Sequence, residues 1–96
     1  MTSEDAGFRL AAGVSWVVQE AGVLVIDELA RRSVLLSYPQ AAVWDLLARG
    51  CDRRCAAGML RWILAVDAPE ADGQVKRCLE EWIEAGWMEP VDDGTR

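Results

Sequence analysis

The 96-residue chain contains no histidine. That absence excludes Ser-His and Cys-His nucleophilic pairs and removes a common zinc ligand. Long apolar runs are also missing, and none approaches the roughly 18 residues that mark a membrane span. No glycine-rich phosphate loop, internal repeat or low-complexity segment is present. The three cysteines are an odd number, so free thiols are expected in a reducing compartment. The opening residues Met1-Thr2-Ser3-Glu4-Asp5 are acidic and polar. A secretory signal starts basic and continues apolar, so a cytoplasmic location with no membrane partner is expected.

What is present suits one globular domain: 52% hydrophobic and 27% charged residues, with a net charge of −6. The charge is uneven. Residues 31–61 hold six arginines against Asp45 and Asp52, whereas residues 62–96 hold nine acids against Lys76, Arg77 and Arg96. An acidic chain repels phosphate backbones overall, so no nucleic-acid partner is expected. The arginine-rich middle reads as solvated helix faces at Arg49, Arg53, Arg54 and Arg61, or as a surface for a protein with an acidic patch.

Little here carries catalytic or metal chemistry. Cys51 and Cys55 begin a cysteine pattern used for iron–sulfur clusters, but Gly58 stands where a third cysteine is needed. Beyond Cys78 there is no fourth zinc ligand. Cys55 and Cys78 lie on apolar helix faces and are expected to be buried. Glu80 and Glu84 are an i, i+4 acid pair, which reads as a solvated helix face. The chain is therefore expected to be no enzyme, with neither catalytic residues nor metal nor cofactor. Five tryptophans are many for this length. Trp16, Trp44 and Trp82 fall at core or core-edge positions; packing is expected for Trp44, while Trp62 and Trp82 are open as surface anchors for a partner.

Hydrophobic periodicity divides the chain in two. Residues 14–18, 23–26 and 33–36 read as short strands, with Gly22 in a hairpin turn and polar residues 27–32 as a second turn. Ser37 and Gln40 form a capping box that starts a helix, with Pro39 in its first turn. Val43, Leu46 and Leu47 give that helix its apolar stripe, with Trp44 at the border, and Gly50 ends it. Asp52 caps a second helix over 53–65, with Ala56, Met59, Leu60 and Ile63 as its buried stripe. A third helix opens near Pro69 and Glu70 and buries Ala71, Val75, Cys78, Leu79 and Trp82. Gly86 stops it, and Trp87 packs back on its last turn. Residues 1–12 read as a flexible arm that Phe8 and Leu10 tether, 13–89 as the domain and 90–96 as a tail.

Strands followed by helices mean an α+β fold. A three-stranded antiparallel β-meander followed by three helices points to a winged helix-turn-helix. The ordered series Trp16, Gly22, Leu36-Ser37, Trp44, Gly50, Asp52 and Trp82-Ile83-Glu84-Ala85-Gly86-Trp87-Met88 resembles the PqqD-like family of RiPP recognition elements. It departs at Ser37, where Asn is usual, and at Trp82 and Trp87, where aliphatic residues are common. The resemblance implies a non-catalytic module that binds the leader of a ribosomally made precursor peptide and presents it to a modifying enzyme. That enzyme could be a radical enzyme, a protease or a cyclase. The resemblance puts the leader on the third strand, at Ser33, Val34, Leu35 and Leu36, by β-strand addition. The third helix is the other wall, with Val75, Lys76, Leu79, Trp82 and Ile83 as candidates and Lys76 available to an acidic leader residue. An open edge strand could also pair with its own copy to give a homodimer. The alternative on the same fold is a small winged-helix DNA-binding transcription regulator. Its reading helix would be the third, which carries Glu80, Glu81 and Glu84 beside Lys76 and Arg77.

Overall fold

Three short, largely apolar segments, whose side chains point by turns into the core and away from it, build the sheet. The computed structural model describes residues 8–90; the outer parts of the expected arm and tail, 1–7 and 91–96, lie outside them. The elements are β1 (Phe8–Leu10), β2 (Val14–Gln19), β3 (Gly22–Asp27), β4 (Arg32–Leu36), α1 (Gln40–Ala48), α2 (Arg53–Leu64), α3 (Ala68–Glu84) and β5 (Met88–Pro90). Strands β2, β3 and β4 form an antiparallel meander in that order, so the expected third strand is β4. The pairs Trp16–Val25–Val34 and Val18–Val23–Leu36 run across it. Val23 and Val25 are buried, and Trp16, Val34 and Leu36 pack against the core beneath.

Residues 8–10 belong to the folded unit. Phe8, Arg9 and Leu10 pair with Pro90, Glu89 and Met88 in a second, two-stranded sheet. The Ala11 N–H also donates to the Trp87 carbonyl at 2.9 Å. Phe8 and Leu10 pack on the core, which supplies the free energy for ordering this segment.

The helix ends are set by local chemistry, with one departure from expectation. The Ser37–Gln40 capping box does not form. Pro39 is the N-cap of α1 and no side chain caps it. Ser37 contributes its carbonyl instead, accepting the Ala41 N–H at 2.9 Å. A residue before proline disfavours helical geometry, so Tyr38 cannot serve as the first helical residue that a Ser37 cap requires. Asp52 caps α2 as expected, its Oδ1 accepting the Cys55 N–H at 2.8 Å, and Asp67 caps α3 in the same way. At the end of α3, Gly86 takes φ +81. The Gly86 and Trp87 N–H groups then donate to Ile83 and Trp82, which is the Schellman arrangement.

The α3 stripe is buried as expected, but those of α1 and α2 are turned. Trp44 is fully enclosed at the centre of the α1 face, while Leu46 is half-buried. In α2, Ala56 and Leu60 face inward, whereas Met59 and Ile63 stand in solvent, as does Cys55. Helix α2 packs on α3 and α1 along one side, and two neighbours cover only half of a broad apolar stripe.

Three indoles fill the centre. Trp44 meets Trp82 edge-to-face at 5.0 Å between centroids and Trp87 at 6.2 Å. Such pairs are worth about 0.5–1.5 kcal/mol each beyond burial. The Trp87 Nε1 donates to buried Asp27 Oδ2 at 3.2 Å, and Asp27 Oδ1 accepts the Ala30 N–H at 3.1 Å.

Gly22, at the start of β3, has φ +154, and a Cβ there would lie 1.9 Å from the Leu36 carbonyl oxygen. That oxygen belongs to the β3–β4 ladder and cannot yield without opening it. Gly22→Ala is therefore expected to cost about 2 kcal/mol, a fall in thermal midpoint of roughly 10 °C by circular dichroism. A wild-type midpoint would show that this close approach is not limiting.

Candidate functional site

The β4 edge follows from hydrogen-bond parity. The two-residue Glu20–Ala21 loop makes Gln19 and Gly22 a hydrogen-bonded pair, and bonding then alternates along the ladder. The far end agrees, because the Glu28 N–H donates to the Gly13 carbonyl at 2.9 Å. Gly22, Leu24 and Ile26 thus turn their main-chain groups toward β2. Val23, Val25 and Asp27 turn theirs toward Leu36, Val34 and Arg32. Ser33 and Leu35 are left with N–H and C=O groups directed away from the sheet. Among the described residues β4 pairs with β3 alone. The Ser33 and Leu35 side chains are exposed, Leu35 at 47%, while Val34 and Leu36 lean inward.

The candidate residues of α3 separate into two groups. Val75, Leu79 and Trp82 are buried in the core, whereas Lys76 and Ile83 are exposed. Sequence periodicity marks all three buried residues as one apolar face but does not say which of them keeps an open side. Arg49 ties α1 to the opposite edge strand: its Nε donates to Asp45 at 2.8 Å and its guanidinium lies 5.8 Å from the Trp16 ring centroid. Trp62 extends from α2 with 87% of its surface exposed. Its position was legible as a doubtful core tryptophan, but its degree of exposure was not.

The surroundings of Cys51 and Cys78 favour the neutral thiol. Cys51 and Cys55 Sγ atoms lie 2.8 Å apart at the start of α2. Burial, then the hydrogen bond with Cys55, then the charges of Cys55 and Asp52, push the Cys51 thiol up from 9.0 to about 11. Burial first, and then the Glu81 carboxylate, push the Cys78 thiol from 9.0 to about 11, with Arg77 opposing. Among the described residues no group of three or more Cys, Asp or Glu side chains is placed to hold a metal ion. No helix among them is long and apolar enough to cross a membrane. A raised thiol value means that the neutral form favours the folded state. The Cys78 contribution to stability is thus complete below pH 9 and lost as pH rises from 9 to 11. Iodoacetamide should label Cys51 and Cys78 slowly at pH 8, at rates that keep climbing toward pH 11. Rates that level off below pH 9 would contradict the shifts.

No family model and no curated protein matches the chain. Two solved structures resemble it in fold. A lasso peptide synthetase B1 complexed with the leader peptide gives a TM-score of 0.80 at 21% identity, covering 88% of this chain and 100% of that one. TbiB1 in complex with the TbiA(beta) leader peptide gives 0.80 at 15% identity, covering 88% and 99%. The expected α+β winged-helix arrangement, an antiparallel meander followed by three helices, is the fold that this chain shares with them.

Proposed function

We propose that this chain is a non-catalytic recognition module. It binds the leader region of a ribosomally made precursor peptide by strand addition to β4 and presents the rest of that peptide to a modifying enzyme. One observation carries the reading: among the described residues the outward main-chain groups of Ser33 and Leu35 have no strand partner, in a fold shared with two proteins solved with leader peptides. An extended peptide laid along β4 would bond to both residues and complete the ladder. Alternate side chains of that peptide would then face α3. There Lys76 and Ile83 are exposed, and the half-buried Val34 and Leu36 would form the near lip. Buried Val75, Leu79 and Trp82 would make the floor and hold the wall in place. Lys76 would attract an acidic leader residue. The names of the structural relatives support a synthetase-type modifying enzyme as the second partner. Exposed Glu80, Glu81 and Glu84 on α3 disfavour the DNA-binding alternative, since that helix would have to lie against phosphates.

The test uses the leader peptide encoded beside this chain, followed by calorimetry. Saturable binding is expected. In Leu35→Pro the lost N–H is one that points outward, so the β3–β4 ladder survives while one donor to the peptide is removed. One backbone hydrogen bond of about 1–1.5 kcal/mol corresponds to an affinity loss of roughly tenfold. Val34→Pro, which removes an inward donor, should instead destabilise the fold. Absence of saturable binding to wild type, or unchanged affinity in a folded Leu35→Pro variant, would overturn docking at β4.

A further inference from the structure

The outer face of α2 has features that the leader site does not use. Met59, Trp62 and Ile63 lie on one side of the helix at i, i+3 and i+4, and are 47%, 87% and 54% exposed. Gly58, Arg54 and Arg61 follow Trp62 around the helix, Arg53 lies farther round beside Asp72, and α2 itself contains no acidic residue. Among the described residues Arg53 reaches only Asp72, at 3.9 Å, and Arg54 and Arg61 form no ion pair. Two adjoining shallow depressions share Gly58 and Arg61, and Trp62 borders one of them.

Gly58 is the second observation. It lies in the middle of α2, where glycine is the poorest helix former apart from proline. Its φ is not positive, and a Cβ added there would meet nothing within 4 Å. Neither backbone geometry nor internal packing therefore requires glycine at this position. A bare backbone beside an exposed indole lets another molecule approach closely.

We propose that the outer face of α2, centred on Gly58 and Trp62, docks a separate protein chain through an acidic surface that carries an apolar recess for the indole. Arg54 and Arg61 supply the charge complementarity, and a tryptophan that becomes buried on docking beside arginines has the composition of an interface hot spot. A second copy of this chain fits poorly, because a two-fold contact would set arginines against arginines. Nucleic acid fits poorly with a net charge of −6 and the acidic face of neighbouring α3. Helix α2 packs on α1 and α3, whereas β4 pairs with β3, so the two surfaces lie on different elements. Naming the partner as the peptide-modifying enzyme rests on the leader-delivery reading; the docking surface itself does not.

The experiment measures binding of the full chain to the peptide-modifying enzyme encoded beside it and, separately, to the leader peptide. Trp62→Ala and the charge reversal Arg54→Glu/Arg61→Glu should each weaken enzyme binding at least tenfold and leave leader affinity within twofold. Gly58→Ala should raise the thermal midpoint by about 4 °C, since alanine favours the helix, and still weaken enzyme binding several-fold. A purely structural glycine would not separate those two readouts. Enzyme binding unchanged in all three variants, or absent in wild type, would overturn the proposal. So would self-association that Trp62→Ala abolishes, or salt-steep DNA binding that the charge reversal abolishes. Loss of leader affinity in Trp62→Ala would overturn the separation of the two surfaces. If wild type fails to bind leader but binds the enzyme through Trp62, the docking surface stands and the leader reading falls.

Discussion

One buried hydrogen bond joins the two halves of this fold. The Trp87 indole N–H donates to Asp27 Oδ2 at 3.2 Å, across 60 residues of sequence. Asp27 is the last residue of β3 and also shapes the hairpin into β4 through Ala30. Trp87 follows α3, held there by the Schellman bonds to Trp82 and Ile83 that Gly86 makes room for. The same indole packs edge-to-face on Trp44 of α1, which packs on Trp82 of α3. An unpaired buried carboxylate or indole N–H costs about 1–3 kcal/mol, and more for the charged group. The strand hairpin and the end of α3 are therefore held in one geometry.

That geometry is what makes an edge strand specific. A one-residue slip of β4 on β3 would turn Val34 and Leu36 outward and reverse which main-chain groups face solvent. The tight approach of Gly22 to the Leu36 carbonyl and the Asp27 turn oppose such a slip from opposite ends of β3. Ser33 and Leu35 are consequently the residues with outward N–H and C=O groups. On the proposed reading, strand addition at β4 would draw affinity from these main-chain groups.

Much of this was legible in the residues. Asp52 before α2 and Gly86-Trp87 after α3 are end signals that depend on local chemistry alone, and they hold. The three strands of the meander were legible to within a residue or so because β-branched runs between polar turns have few other uses; β1 and β5, three residues each and paired across the whole chain, were not. Ser37 misled because a capping signature ignores the proline two residues later. Met59, Ile63 and Cys55 misled for another reason: periodicity marks an apolar stripe, but only tertiary packing decides how much of it is covered. The order of strands within the sheet, and so the openness of the third strand, depends on contacts far apart in sequence. The same holds for the division of α3 into buried Val75, Leu79 and Trp82 and exposed Lys76 and Ile83. Trp62 was legible as a tryptophan of doubtful burial, and its exposure makes α2 a second surface with its own charge.

The most direct measurement is residue-resolved amide hydrogen exchange by nuclear magnetic resonance, with and without the leader peptide. Strand addition at β4 requires the Ser33 and Leu35 amides to gain protection on binding, while Val34 and Leu36, already bonded to β3, change little. Protection gained instead at Trp16 and Val18 on the opposite edge, or at neither edge, would contradict peptide docking at β4.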